Sequence, residues 1–565
     1  MKKILPYVLT GLLTLGGLSS CQDFFELESE QVLFVDDLKL NTVNDTVYSV
    51  IGIINRLQQV ADKTVLLGEI RSDLISLTDK ADLELQALAT FTAGTNNLYN
   101  RPQDYYAIIN NCNYFIANAD TALRKRNEPV FLKEYAAVKA FRAWTYLQLA
   151  KIYGSVPFVI EPIEKEKQTN IALYEKKDMA ALCDFFIEDI KPFINTDLPG
   201  YGNIGGLNST KFFIPVRLLL GDLCLWAGRY MESALYYHDY LTNRNRPMPL
   251  GTNQIAWRSN TNTFDGYIND SYAGLFTDVS GQEIISYIPM EANRFEGTIS
   301  ELRNIFNSTL DNDYYYQAKP SNAFISLSKQ QSNCKIYLNE ATQVRDTIYA
   351  PSENIFNEFW VGDLRLYSIY RRQYVGNSSL SSYSTDRQTI QKIGRHVPIY
   401  RRGTVYLRYA EALNRTGFPS AAFAILKYGL TEENIVKYVD SMEVKTASGT
   451  GLLDWDVNLF TATNTMGIHS RGAGVADANK QYVLPAMANK TDSILYVENL
   501  ISDELALETA FEGQRFYDLM RIALRRNDHA YLANKVAGRD GASNFNQALY
   551  NKLMDVSQWY LPLNN

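Results

Sequence analysis

Histidine is scarce in this sequence: four in 565 residues, at 238, 396, 469 and 529, far apart and none beside an evident nucleophile. HExxH, GxSxG and GxxxxGK[ST] are all missing, which removes the zinc-protease, nucleophile-elbow and P-loop signatures. Cysteine is nearly as rare. Beyond Cys21, only Cys112, Cys183, Cys224 and Cys334 occur, with no CxxC and no nearby His to complete a zinc site. They read as buried free thiols, and a disulfide stays open in an oxidising compartment. Asp311-Asn312-Asp313 hints at calcium but lacks the glycine and distal Glu of an EF-hand loop. Positive charge is short too: 55 Lys and Arg against 62 Asp and Glu give −7, or −9 without residues 1–20, which carry Lys2 and Lys3. No basic stripe stands out, which argues against a nucleic-acid partner. Neither a metal nor a cofactor is expected.

What the chain does have is aromatic residues and apolar helices. Tyrosine (38) runs well ahead of phenylalanine (26) and tryptophan (6), offering flat apolar faces with a polar tip. In Tyr135 to Ile160, apolar residues at 135, 138, 141, 144, 147 and 152 hold one broad helical face. Alanines at 136, 137, 140, 143 and 150 leave room for a neighbouring helix, and Gly154 with Pro157 ends the run. Three further stretches read as helix, glycine turn, helix: Arg217 to Leu241, Thr404 to Leu426 and Leu500 to Leu524, turning at Gly228, Gly417 and Gly513. Their layout is that of tetratricopeptide-like repeats, with small residues where helices cross and a glycine where the chain reverses. Ordinary helical hairpins in an all-α protein give the same fold class, mainly α. Further helices are expected from about Thr46 and over Tyr105 to Leu123.

Residues 1–20 read as a targeting segment: Lys2 and Lys3, then an apolar stretch from Ile4 to Leu18 too short to span a bilayer. Leu18-Ser19-Ser20-Cys21 matches a bacterial lipobox, so Cys21 is the expected lipidation site. Several acyl chains would hold the protein stably on a membrane that it does not cross.

From Thr242 to His396 helical periodicity thins and Asn, Ser, Gly and Tyr multiply, with short strands expected near Glu283–Ile288 and Lys335–Leu338. A loop-rich insertion of that size is usually functional. A second polar excursion runs from Thr446 to Tyr482.

Four features together resemble the SusD/RagB family of outer-membrane nutrient-binding lipoproteins. They are the lipobox at Cys21, AFRAWTYLQLAKIYGSVPFV from Ala140, YLRYAEALNR from Tyr406 and ELALETAFEGQRFYDLMRI from Glu504. The most specific is Phe511-Glu512-Gly513-Gln514-Arg515-Phe516 followed by Asp518-Leu519. The usual basic pair before the last motif is replaced by Ile501-Ser502-Asp503, and the C-terminal tail is short. The resemblance implies a SusD-like α-helical fold: one domain over 21–565, helical repeats at about 105–241 and 400–530, and a ligand-binding insertion at about 242–396. It further implies a lipid-anchored protein on the cell surface that captures oligosaccharide and passes it to a SusC-type, TonB-dependent transporter, with no residue doing chemistry.

Sugar recognition needs aromatic faces for C–H surfaces, plus Asp, Asn and Arg for hydroxyls. Trp257, Tyr272 and Trp360 are the aromatic candidates, Arg372 with Tyr374 pairs a donor with a ring, and Asp73 lies in an early polar loop. Glu504, Glu508, Glu512, Arg515 and Asp518 read as salt bridges between repeats rather than a catalytic pair. Two rivals stand: a lipid-anchored glycoside hydrolase and a structural repeat scaffold in the envelope. The bound glycan, or peptide, is not specified by these residues.

Overall fold

The apolar stretch that begins near Tyr135 forms the helix Leu132–Tyr153, and from Ala136 onward every residue but Lys139 is buried, including Arg142, Gln148 and Lys151. A helix apolar on every side needs neighbours on every side, and it has four. The computed structural model describes residues 43–563 apart from 256–270, 308–314, 353–360 and 378–379. Within them lie α1 (Val43–Glu69), α2 (Pro102–Asn118), α3 (Leu132–Tyr153), α4 (Met179–Ile190), α5 (Val216–Trp226) and α6 (Tyr230–Leu241). Helix α3 packs against α1, α2, α4 and α5. The alanines at 136, 137, 140, 143 and 150 are all buried in it, so no long side chain holds its partners away. Each large apolar side chain buried in full contributes about 1.5–3 kcal/mol.

The middle segment carries the short helix α7 (Leu364–Ile369), and after it come α8 (Arg402–Arg415), α9 (Pro419–Lys427), α10 (Lys490–Thr509), α11 (Arg515–Arg526) and α12 (His529–Ala537). The pairs α5–α6, α8–α9 and α10–α11 are the three helix–turn–helix units read from the sequence. Each reverses at a glycine with positive φ: Gly228 at 76°, Gly417 at 95° and Gly513 at 82°. Helix α6 packs on α8, α8 on α9 and α10, and α11 returns to pack on α1. The array therefore closes on itself. At the closure, a Cβ on Gly513 would meet Thr64 O at 2.1 Å, and one on Gly68 would meet Gly513 O at 1.9 Å. Only glycine allows the two backbones this close.

The middle segment is more ordered than a loop-rich reading implies. Strand β1 (Ile284–Ile288) falls where a strand was expected, and so does β2 (Asn333–Asn339). Also present are β3 (Val344–Ala350), β4 (Tyr370–Asn377), β5 (Leu380–Ile390) and β6 (Val397–Arg401). They form antiparallel pairs: β2–β3 and β4–β5 as hairpins, and β1 with β6 in the register Val397↔Ile288 to Arg401↔Ile284. Strand β1 is buried along its whole length, and its partner β6 carries the chain from the insertion directly into α8. The segment 446–482 is irregular apart from the end of a short helix, Ser441–Ala447, and one turn at Ser470–Ala473. Among the described residues the four cysteines, Cys112, Cys183, Cys224 and Cys334, are free and buried. Among the described residues no helix is long and apolar enough to cross a membrane. Cys21 and the targeting segment lie outside the described residues.

Candidate functional site

The Phe511–Phe516 motif sits where α10, α11, β6 and the insertion meet, and its charges organise the surroundings. Helix α10 places Glu504 and Glu508 one turn apart on one face. Glu508 Oε1 accepts from Arg401 Nη1 at 2.8 Å and Arg471 Nη1 at 2.7 Å; Oε2 accepts from Arg365 Nη1 at 3.0 Å and Tyr272 Oη at 3.0 Å. Glu504 takes Arg365 Nη2 at 2.8 Å, and its other oxygen lies 2.5 Å from His469 Nδ1. Glu283, just before β1, bonds Arg401 Nη1 at 3.0 Å and Arg471 Nη2 at 3.1 Å. Asp363 caps α7 and grips Arg365 through both oxygens. Burial alone would raise the Glu508 carboxyl, but Arg471, Arg401 and Arg365 outweigh it and hold it well below the carboxylate range. Burial is likewise overcome at Glu283, which Arg471 and Arg401 bring down to about 2.

Glu512 is the outermost acid of this set, with its side chain 13% exposed, and pairs with Arg401 Nε at 2.6 Å and with Lys392. Burial lowers Lys392 to about 8 against the pull of Glu512. Both line a small cleft of about 30 Å³, whose apolar walls include Val65, Phe276, Leu302 and Phe511. The Phe276 ring lies 4.4 Å from Lys392 Nζ and 4.8 Å from Arg401 Cζ. His396, also at the cleft, accepts from the Met290 N–H through Nδ1, and burial brings it down to about 4, so it is neutral.

A second buried set joins α5, α8 and α11. Arg408 Nη1 binds Asp222 at 2.6 and 2.7 Å, and Tyr237 and Tyr400 each donate to the same carboxylate at 2.6 Å. Arg521 bridges Glu411 and Asp518 at 2.6 and 2.8 Å. The acids of the motif are therefore tied to arginines that cross between helices, as the salt-bridge reading had it. Among the described residues no group of three His, Cys, Asp or Glu is placed to hold a metal ion.

Two of the sequence-derived candidates sit elsewhere than a surface reading places them. Asp73 is 5% exposed and gives both oxygens to Arg515, at 2.7 and 2.8 Å. Tyr272 is 1% exposed and commits its hydroxyl to Glu508. Both act inside the fold, because an arginine and a glutamate far along the chain claim them. Trp257 and Trp360 lie outside the described residues. Arg372 and Tyr374 fall on the backbone of β4, opposite Gln388 and Tyr383, with their side chains outside the described residues.

One ring was passed over in the sequence. Phe295 is 103% exposed at the tip of a loop closed by the Glu291 N–H to Thr298 O bond, 2.9 Å. Gln58, Gln59 and Asp62 of α1 fasten that loop and its flanks through Pro289, Thr298 and Ser300. Leu302, at its end, lines the cleft. The result is a bare aromatic ring on a loop tied to α1 by side-chain hydrogen bonds. Asn293 and Gly297 around it were the available signal, since both mark a tight turn.

No protein-family model matches the chain, and no curated protein does. Solved structures do. A SusD superfamily protein from Bacteroides vulgatus matches 92% of this chain and 91% of its own length, at TM-score 0.55 and 14% identity. A SusD-like protein from Bacteroides fragilis matches 86% and 88%, at TM-score 0.55 and 16% identity. A SusD-like carbohydrate binding protein from Bacteroides vulgatus matches 85% and 84%, at TM-score 0.54 and 14% identity. At such low identity the likeness is one of backbone arrangement. The chain has the fold of the SusD-like proteins.

Proposed function

We propose that this protein captures an oligosaccharide at the cell surface and delivers it to a SusC-type, TonB-dependent transporter in the outer membrane, without catalysing a reaction. The observation that carries this reading is the SusD-like fold shared over most of the chain with proteins described as carbohydrate binding. The lipobox ending at Cys21 supports a lipid anchor. The acids of the 504–518 motif are held by arginines, which supports binding rather than hydrolysis by that group. The ligand face on this reading is the middle segment, with Trp257, Trp360, Arg372 and Tyr374, joined by the exposed ring of Phe295.

Calorimetric titration of the chain from Gln22 onward against soluble polysaccharides and peptides tests it. One glycan should bind saturably with no reducing sugar released overnight, and Trp257→Ala, Trp360→Ala or Phe295→Ala should weaken it by roughly 1–3 kcal/mol if the ring is a stacking platform. Release of reducing sugar would replace capture with hydrolysis. Binding that ignores all three changes would move the face elsewhere on the molecule.

A further inference from the structure

Arg71, in the turn after α1, is 1% exposed, yet no carboxylate pairs with it among the described residues. Its Nη2 donates to the Trp559 carbonyl. Its guanidinium lies 4.3 Å from the centre of the Phe516 ring and 5.0 Å from that of Phe91. Burial lowers its pKa to about 10, and the groups acting on it are three tyrosines, Tyr517, Tyr560 and Tyr153. Arg71 Nη1 has no hydrogen-bond partner. Neither do two other buried groups, Tyr105 Oη on α2 and Tyr153 Oη at the end of α3. Tyr153 lies within electrostatic range of both Arg71 and Tyr105. Asp104, the acid acting on both hydroxyls, is paired with Lys63 at 2.7 Å.

Three buried donors without acceptors, one of them a cation without a counter-ion, form a costly arrangement for a core. A water molecule would relieve the hydroxyls and leave the charge. One anion accepting from all three would relieve both. We propose that Arg71, Tyr105 and Tyr153 hold a small monovalent anion of the chloride class, which neutralises the guanidinium and fastens the C-terminal segment to the α1–α3 end of the molecule. The segment's other ties fit this role, since the Leu561 N–H donates to Ile152 O at 2.9 Å and Asn100 Nδ2 donates to Pro562 O at 2.9 Å.

Bromide serves as the probe on the full chain. Crystals soaked in bromide should show an anomalous peak within hydrogen-bond distance of Arg71 Nη1. In solution, amide exchange at residues 559–561 should slow about tenfold at bromide ten times above its Kd, and should not slow with methanesulfonate at equal ionic strength. Tyr105→Phe and Tyr153→Phe keep the rings and remove one donor each, so both should weaken the bromide effect. Arg71→Met should abolish it, and if that variant fails to fold the tyrosine pair still decides. A water at the site in bromide-soaked crystals, or equal slowing by both salts, overturns the proposal.

Discussion

Glu508 carries four donors on two oxygens, and three of them are arginines from α7, from the end of β6 and from the turn 470–473. Removing its charge strands those guanidiniums in the core. Glu508→Gln should therefore cost about 3–5 kcal/mol, read as a fall in the denaturation midpoint. Tyr272→Phe loses one hydrogen bond to the same carboxylate and should cost about 1 kcal/mol while leaving glycan binding unchanged. A Tyr272→Phe protein of normal stability that no longer binds glycan would return that residue to the ligand face. Glu69 behaves oppositely. Its Oε1 accepts from the Gly513 and Gln514 N–H groups at 2.8 and 3.2 Å, but burial still raises it to about 7, with Oε2 unpartnered. A raised acid favours the fold while protonated, so its contribution is full below the unfolded value near 4.5 and is lost as pH climbs through 7. The penalty at pH 8 is roughly 3 kcal/mol. Glu69→Gln should be more stable than the parent at pH 8, with the gap closing by pH 5 in urea denaturation. A gap equal at both pH values would contradict this.

Turns decide how far the helices can approach. Gly513 and Gly202 both have positive φ, at 82° and 72°, but only Gly513 faces another backbone. Gly202→Ala should cost about 1 kcal/mol for the left-handed conformation alone. Gly513→Ala must also push α1, which carries Thr64 O, away from the turn, and should cost roughly 3 kcal/mol or more. Similar melting temperatures for the two would show that α1 yields easily. The helix pairs were legible in the sequence because a 3.6-residue apolar period, alanines at crossings and a glycine at each reversal are local signals. The hairpin β4–β5 was not, because a tract such as Gly376-Asn377-Ser378-Ser379 reads as loop whether or not strands flank it. Asp73 looked like an exposed loop acid for a different reason. Its partner Arg515 is 442 residues away, and no local pattern reports that.

On the scale of the whole molecule, an unusual number of ion pairs lie inside. The sets centred on Glu508 and Asp222 join elements from both halves of the chain, so the helical pairs are fixed in orientation as well as stacked. Binding rings, if they lie where proposed, are carried by the less regular middle segment on this stiff frame. Sequence motifs located the frame, because its arginines and acids sit inside recognisable helices. They did not locate the ligand, because exposed rings such as Phe295 serve no packing pattern.

The return of α11 onto α1 sets a condition on how this chain can fold. An open stack of repeats can start anywhere and grow by adding neighbours. Here the last join brings Gly513 to Thr64 and Arg515 to Asp73, after several hundred intervening residues have been made or threaded into place. Loop closure over that span gains nothing until both ends are already shaped to meet. Residues made at the start of translation must wait for those made near its end, and until then the part of α1 that meets α11 is uncovered. A chain exported before folding would meet that requirement with both partners present at once.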